Sequence, residues 1–311
     1  MNPKLLGGVC GVAIVAAGAS IYMTSRQESR LGQTAYQKGT AALNASNVGE
    51  AERDFLDGIH SDPDFGPCYV GLGEIYAARK DFKSARDAYT HASKLLPDDG
   101  KVWFVLSTIE NTLQNMPAAE AAATKAAKLL PNDPDVQGQL ATVENKIGHA
   151  DVAYDAYRRA HALQPSSPEY LITMSRFGLV TPHATDQLPY QEKELSTYLA
   201  GNPTDADAAK VMAETEERLP PTPERLASGI KWALLAQEAN PKDAEVDVDL
   251  GQLYLSAGKP ADALKAYKVA DRLKPNSEQT MHAMAVCYLK TGEAAKAAEM
   301  AKRIQQLPAK K

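Results

Sequence analysis

Along most of the chain, apolar residues return at intervals of three and four, the spacing that keeps them on one face of a helix. The stretch YVGLGEIYAARKDFKSARDAYTHASKLLP, Tyr69 to Pro97, carries the pattern clearly. Tyr69, Leu72, Gly73 and Tyr76 share one helix face; Ala85, Tyr89 and Ala92 share another. Two short helices are predicted, joined by a turn and stopped by the proline. Such a pair has one apolar side and too little chain to bury it alone, so something else must cover that side.

The same pattern recurs in phase. Prolines stand at 63, 97, 131 and 165, each 34 residues after the last, and again at 203, 241 and 275, after gaps of 38, 38 and 34. Aligned on them, the offsets give Trp103, Leu106, Ser107, Ala119, Ala123 and Ala126, then Leu140, Ala141, Ala153, Tyr157 and Ala160. Near the end they give Leu250, Gly251, Tyr254, Ala263, Tyr267 and Ala270. A fixed period in this range marks a stacked array in which each pair is covered by its neighbour.

These residues resemble the tetratricopeptide repeat family, whose pattern is W-x2-L-G-x2-Y, then A-x3-F, then P within 34 residues. The resemblance divides residues 32–311 into eight repeats: 32–65, 66–99, 100–133, 134–167, 168–205, 206–243, 244–277 and 278–311. It implies an all-α, right-handed superhelical solenoid of helix-turn-helix pairs. It also implies a concave groove, lined by the first helix of each pair, that holds a peptide or partner helix. The implied groove positions are Tyr36, Thr40, Val70, Glu74, Phe104, Thr108, Asn111, Thr142, Asn145, Ile172, Arg176, Lys210, Glu214, Val248, Gln252 and His282. Family members that clamp chaperone tails use a lysine and an asparagine in one repeat and further basic residues two repeats on. Here Val70 and Glu74, then Phe104 and Thr108, occupy that pair of positions, so chaperone-tail binding is not expected.

Asp99, Asp133, Ser167, Asp243 and Ser277 are placed as N-caps, each worth about 1 kcal/mol. Pro134 and Pro168 suit a first helical turn, and Gly148, Gly258 and Gly292 share the repeat position of a left-handed C-cap. Lys38 and Glu216 replace residues the pattern makes apolar or tyrosine. Repeats 168–205 and 206–243 each carry about four extra residues, in GLVTPHATDQLP and RLPPTPER, which read as longer turns between paired helices. The polar side of KAAEMAKRIQQLPAKK suits a cap on the last repeat.

The start of the chain breaks the pattern. Leu5 to Met23 is an uncharged, largely apolar run of 19 residues, roughly 28 Å as a helix and close to the thickness of a bilayer core. Residues 1–25 therefore read as a transmembrane anchor, with 26–31 a short linker. The alternative is a signal peptide cleaved near Ala19, since AGA before Ser20 has the small-x-small form of a cleavage site. Lys4 on one flank nearly balances Arg26 and Arg30 on the other, so the reading leans only slightly towards an extracytoplasmic array.

Net charge is −5, which disfavours a phosphate-tracking surface and hence nucleic acid. The three cysteines, Cys10, Cys68 and Cys287, lack ligand or disulfide spacing, and Cys68 and Cys287 read as packed small side chains. Adjacent carboxylates of EVDVD, Glu245 to Asp249, do not share a helix face, so no metal site or cofactor is expected there. The six histidines are scattered and no hydrolase, zinc or phosphate-loop motif is present. The expectation is a non-catalytic adaptor or scaffold binding other proteins at a membrane. A homo-oligomeric platform is the second reading. An enzyme with His183 and Asp186 in the 178–225 turns is the third.

Overall fold

The structure, a computed structural model, describes residues 30–307. Among them the chain is helical throughout, with no strand. Helix α1 covers 30–44, so residues 30 and 31, placed in the linker by sequence, are already helical. It is followed by α2 (Val48–Ser61), α3 (Gly66–Ala78), α4 (Phe82–Leu95), α5 (Gly100–Thr112), α6 (Met116–Leu129) and α7 (Pro134–Lys146). Then come α8 (Ala150–Leu163), α9 (Pro168–Val180), α10 (Leu188–Gly201), α11 (Ala206–Arg218) and α12 (Pro223–Ala239). The last four are α13 (Ala244–Ser256), α14 (Pro260–Leu273), α15 (Glu278–Lys290) and α16 (Ala294–Gln305). Odd-numbered helices are the first of each pair, even-numbered the second. The chain divides into two compact units at Gly148/His149, so the fourth repeat gives one helix to each.

Local chemistry sets the helix ends. Within a pair, the first helix closes with a six-to-one bond, as from Asp81 N–H to the Tyr76 carbonyl (2.9 Å) and from Lys259 N–H to the Tyr254 carbonyl (2.8 Å). That closure puts one residue in the left-handed region. Gly148, Gly258 and Gly292 take it at φ +88, +71 and +82, as predicted. The same position is held at φ +62, +62 and +60 by Ser46, Lys80 and Gln114, which lack glycine's freedom there.

The predicted caps Asp99, Asp133, Asp243 and Ser277 accept backbone N–H bonds in the first turn of α5, α7, α13 and α15. Ser167 stands at the cap position of α9 without a side-chain cap bond. Asp81, Asp205 and Thr222 are further caps.

The extra residues of the two long repeats go to different places. In 168–205 they form a 3-10 helix, η1 (Pro182–Gln187), between α9 and α10. In 206–243 the turn grows little and the lengthened element is α12, with 17 residues against 14 in α4. The expectation of two longer turns holds for the first repeat and is corrected for the second. Thr222 caps the helix and Pro223 takes its first turn, so Pro223, Glu224 and Arg225 join α12 ahead of the position that matches the start of α4.

Packing follows the repeat. In the first unit Phe55, Cys68, Leu72 and Ile75 are buried together; Tyr89, Val102, Leu106 and Ile109 form the next layer. In the second unit Tyr267, Met281, Met284 and Cys287 are buried against α16, which contributes Ala297 and Met300 and turns its polar residues outward. Both Cys68 and Cys287 are free and fully buried, as their sequence setting suggested. Burial, and then the charge of Asp62, pushes the Cys68 thiol up to about 11.

Candidate functional site

First helices of successive repeats touch one another: α5 with α7 in the first unit, and α9 with α11, α11 with α13 and α13 with α15 in the second. These first helices carry the predicted groove positions, and a cavity opens on them in each unit.

In the first unit a cavity of about 360 Å³ lies over α3, α5 and α7. Val70, Phe104 and Val105 give it an apolar floor, while Glu74, Lys101 and Asp135 supply charge. Three predicted positions, Val70, Glu74 and Phe104, are thus brought together. Asn111 lies farther along α5 and accepts a 2.8 Å bond from Lys146 Nζ. Thr108 and Thr142 spend their hydroxyls on carbonyls one turn back, those of Phe104 and Gly138. Thr40 is half-buried and Asn145 exposed. Tyr36 is half-buried, its ring packed on Phe55 and Phe65 at 5.9 and 6.2 Å between centroids, against the core of the first repeats.

In the second unit a cavity of about 470 Å³ spans α9, α11, α13 and the start of α15. Arg176, Glu214 and Val248 from the predicted set line it. Lys210 stands beside it, bonded to Asp243 at 2.8 Å and lying 4.0 Å from Glu214. Burial works against both charges, yet that bond holds Lys210 above and Asp243 below its ordinary value. Ile172 is half-buried on α9, Gln252 accepts a 3.3 Å bond from the Tyr267 hydroxyl, and exposed His282 lies 3.8 Å from Glu278.

Sequence reasoning passed over Glu217 and set Asp249 aside with the rest of EVDVD. Both line the second cavity, and among the described residues neither makes a hydrogen bond or ion pair. Burial, then the charges of Glu217 and Glu214, pushes the Asp249 carboxyl up to about 8. Glu214 and Glu217 are raised as well, in each case chiefly by burial. The signal was present. Adjacent carboxylates in EVDVD do point apart, but Glu245 and Asp249 are four apart and Glu214 and Glu217 three apart, so each pair shares a face. The middle carboxylate, Asp247, is fully buried and bonded to Gln237.

His183 and Asp186 both fall on η1, where Asp186 is exposed. The apolar run Leu5 to Met23 lies outside the described residues. Among those described, no helix is long and apolar enough to cross a membrane.

Family models described as tetratricopeptide repeat match residues 36–92, 70–134 and 254–309. A tetratricopeptide repeat protein from Parabacteroides merdae is similar in structure, with TM-score 0.51 and 15% identity, covering 78% of this chain and 93% of that one. YrrB, a TPR protein with an unusual peptide-binding site, is similar with TM-score 0.54 and 16% identity, covering 64% of this chain and 98% of its own. A search of curated proteins finds no match. With the repeat phase, the paired helices and these likenesses in agreement, the chain belongs to the tetratricopeptide repeat family.

Proposed function

We propose that the protein is a non-catalytic adaptor that binds partner proteins through the first-helix face of its repeats. The observation that carries this reading is the coincidence of cavities with groove positions: Val70, Glu74 and Phe104 in one unit, and Arg176, Glu214 and Val248 in the other. A preformed surface with a few apolar anchors and polar groups around them gives affinity and specificity without further chemistry. The peptide-binding site of YrrB supports the use of this fold for such a task. In this reading residues 5–23 hold the adaptor at a membrane with its repeats on the extracytoplasmic side; cleavage near Ala19 would free it instead.

Co-purification from native cells tests the adaptor role. Proteins that accompany the wild-type chain should be lost with Phe104→Glu and kept with Arg86→Glu on the second helix α4, both variants melting like wild type. Partners that persist with Phe104→Glu and depart with Arg86→Glu would overturn the reading.

A further inference from the structure

Building on that adaptor reading, we infer that the first-helix face of the second unit receives a basic segment of its partner, one lysine or arginine side chain entering between α11 and α13 with aliphatic neighbours on Leu179 and Val248. The argument is charge complementarity inside a cavity of about 470 Å³.

The cavity holds four carboxylates, Glu214, Glu217, Glu245 and Asp249, and three cations, Arg176, Arg218 and Lys274. Their commitments differ. Arg176 is paired with Asp207 at 3.0 Å, and Arg218 donates to the Leu179 carbonyl at 3.0 Å. Lys274 stands exposed. Glu245 and Glu214 share Lys210, at 3.5 and 4.0 Å. Glu217 and Asp249 are left without a hydrogen bond or ion pair among the described residues, and Asp249 is half-buried. Among the described cations of the cavity an acidic ligand would find Lys274 alone uncommitted, and it would meet carboxylates that repel it. An ammonium or guanidinium would meet the two unspent acceptors. Carboxylates crowded together and partly desolvated favour such an incoming cation, because it relieves their mutual repulsion. Leu179, Val180 and Val248 supply the apolar contact that the aliphatic stem of lysine or arginine also uses.

The test is selection of a displayed random dodecapeptide library on the full chain, followed by affinity measurement of the recovered peptides. The expected result is a recovered lysine or arginine at a fixed position beside aliphatic residues. Affinity should fall about tenfold or more with Asp249→Asn, weaken as salt rises, and stay unchanged with Asp87→Asn on α4. Neutral or acidic peptides that bind and are displaced by Val248→Glu would overturn the basic-partner inference while leaving the adaptor reading intact. Recovery of no peptide by the correctly folded chain would overturn both.

Discussion

The ring of Tyr267 on α14 fills the space beside Gly251 on α13: a Cβ at 251 would lie 2.6 Å from Tyr267 Cε1. Tyr89 and Gly73 stand in the same relation in the second repeat, at 2.5 Å. The glycine is there for close approach of two helices, and the aromatic is the large partner that the approach admits. Gly251→Ala should therefore destabilise the protein. Overpacking costs about 1–3 kcal/mol, and alanine's better helix propensity returns about 1 kcal/mol at most. A fall in the denaturant midpoint is the expected reading; an unchanged or higher midpoint would show that the ring simply moves aside.

Glycine should help where left-handed backbone is now held by other residues. Lys80→Gly and Gln114→Gly, at φ +62 and +60, are each expected to stabilise by about 0.5–1 kcal/mol. Arg159→Gly, exposed in the middle of α8, should cost about 1 kcal/mol. Thermal melts of the three variants give opposite signs if the turn conformation is as described.

Glu216 makes stability depend on pH. It is 3% exposed on α11, and burial pushes its carboxyl up to about 7. The unfolded chain ionises near the ordinary glutamate value, so between that value and about 7 the folded state binds more protons. Its contribution to stability is full below the unfolded pKa and is lost as pH rises through about 7. The loss is on the order of 3 kcal/mol. Glu216→Gln should therefore be more stable than wild type at pH 8 and close to it at pH 4.5, measured as the difference between two denaturation series. A constant difference across that span would show that Glu216 does not titrate there.

The membrane proposal rests on residues 5–23. Carbonate extraction of the full chain should leave it in the membrane pellet, and deletion of residues 1–25 should release it. A shortened, extractable wild-type product would mean cleavage near Ala19.

Much of this protein was legible because repetition averages out local noise. Tyr89 alone is an ambiguous aromatic, but with Tyr157 and Tyr267 at the same offset it marks a packing position. The caps Asp99, Asp133 and Asp243 were readable for the same reason. What was missed lay where one repeat differs from the rest. In Thr222 to Arg225 a threonine cap followed by proline does signal a helix start, but Pro220 and Pro221 just before it make the whole stretch read as a turn. The acidic cavity was missed because it joins Glu214 and Glu217 of one repeat to Asp249 of the next, and neighbours were compared along the chain rather than across it. Tyr36 sits at a groove offset, yet Phe55 and Phe65 draw its ring inward.

The central claim is that partners meet the first-helix face. Site-specific photo-crosslinking in native cells tests it most directly, with a photoreactive residue at Phe104 or Gln252 on that face and at Arg86 or Arg159 on the second helices. The account predicts adducts of defined mass from Phe104 and Gln252, and none from Arg86 and Arg159. Adducts confined to Arg86 and Arg159 would contradict it and move the binding surface to the second helices.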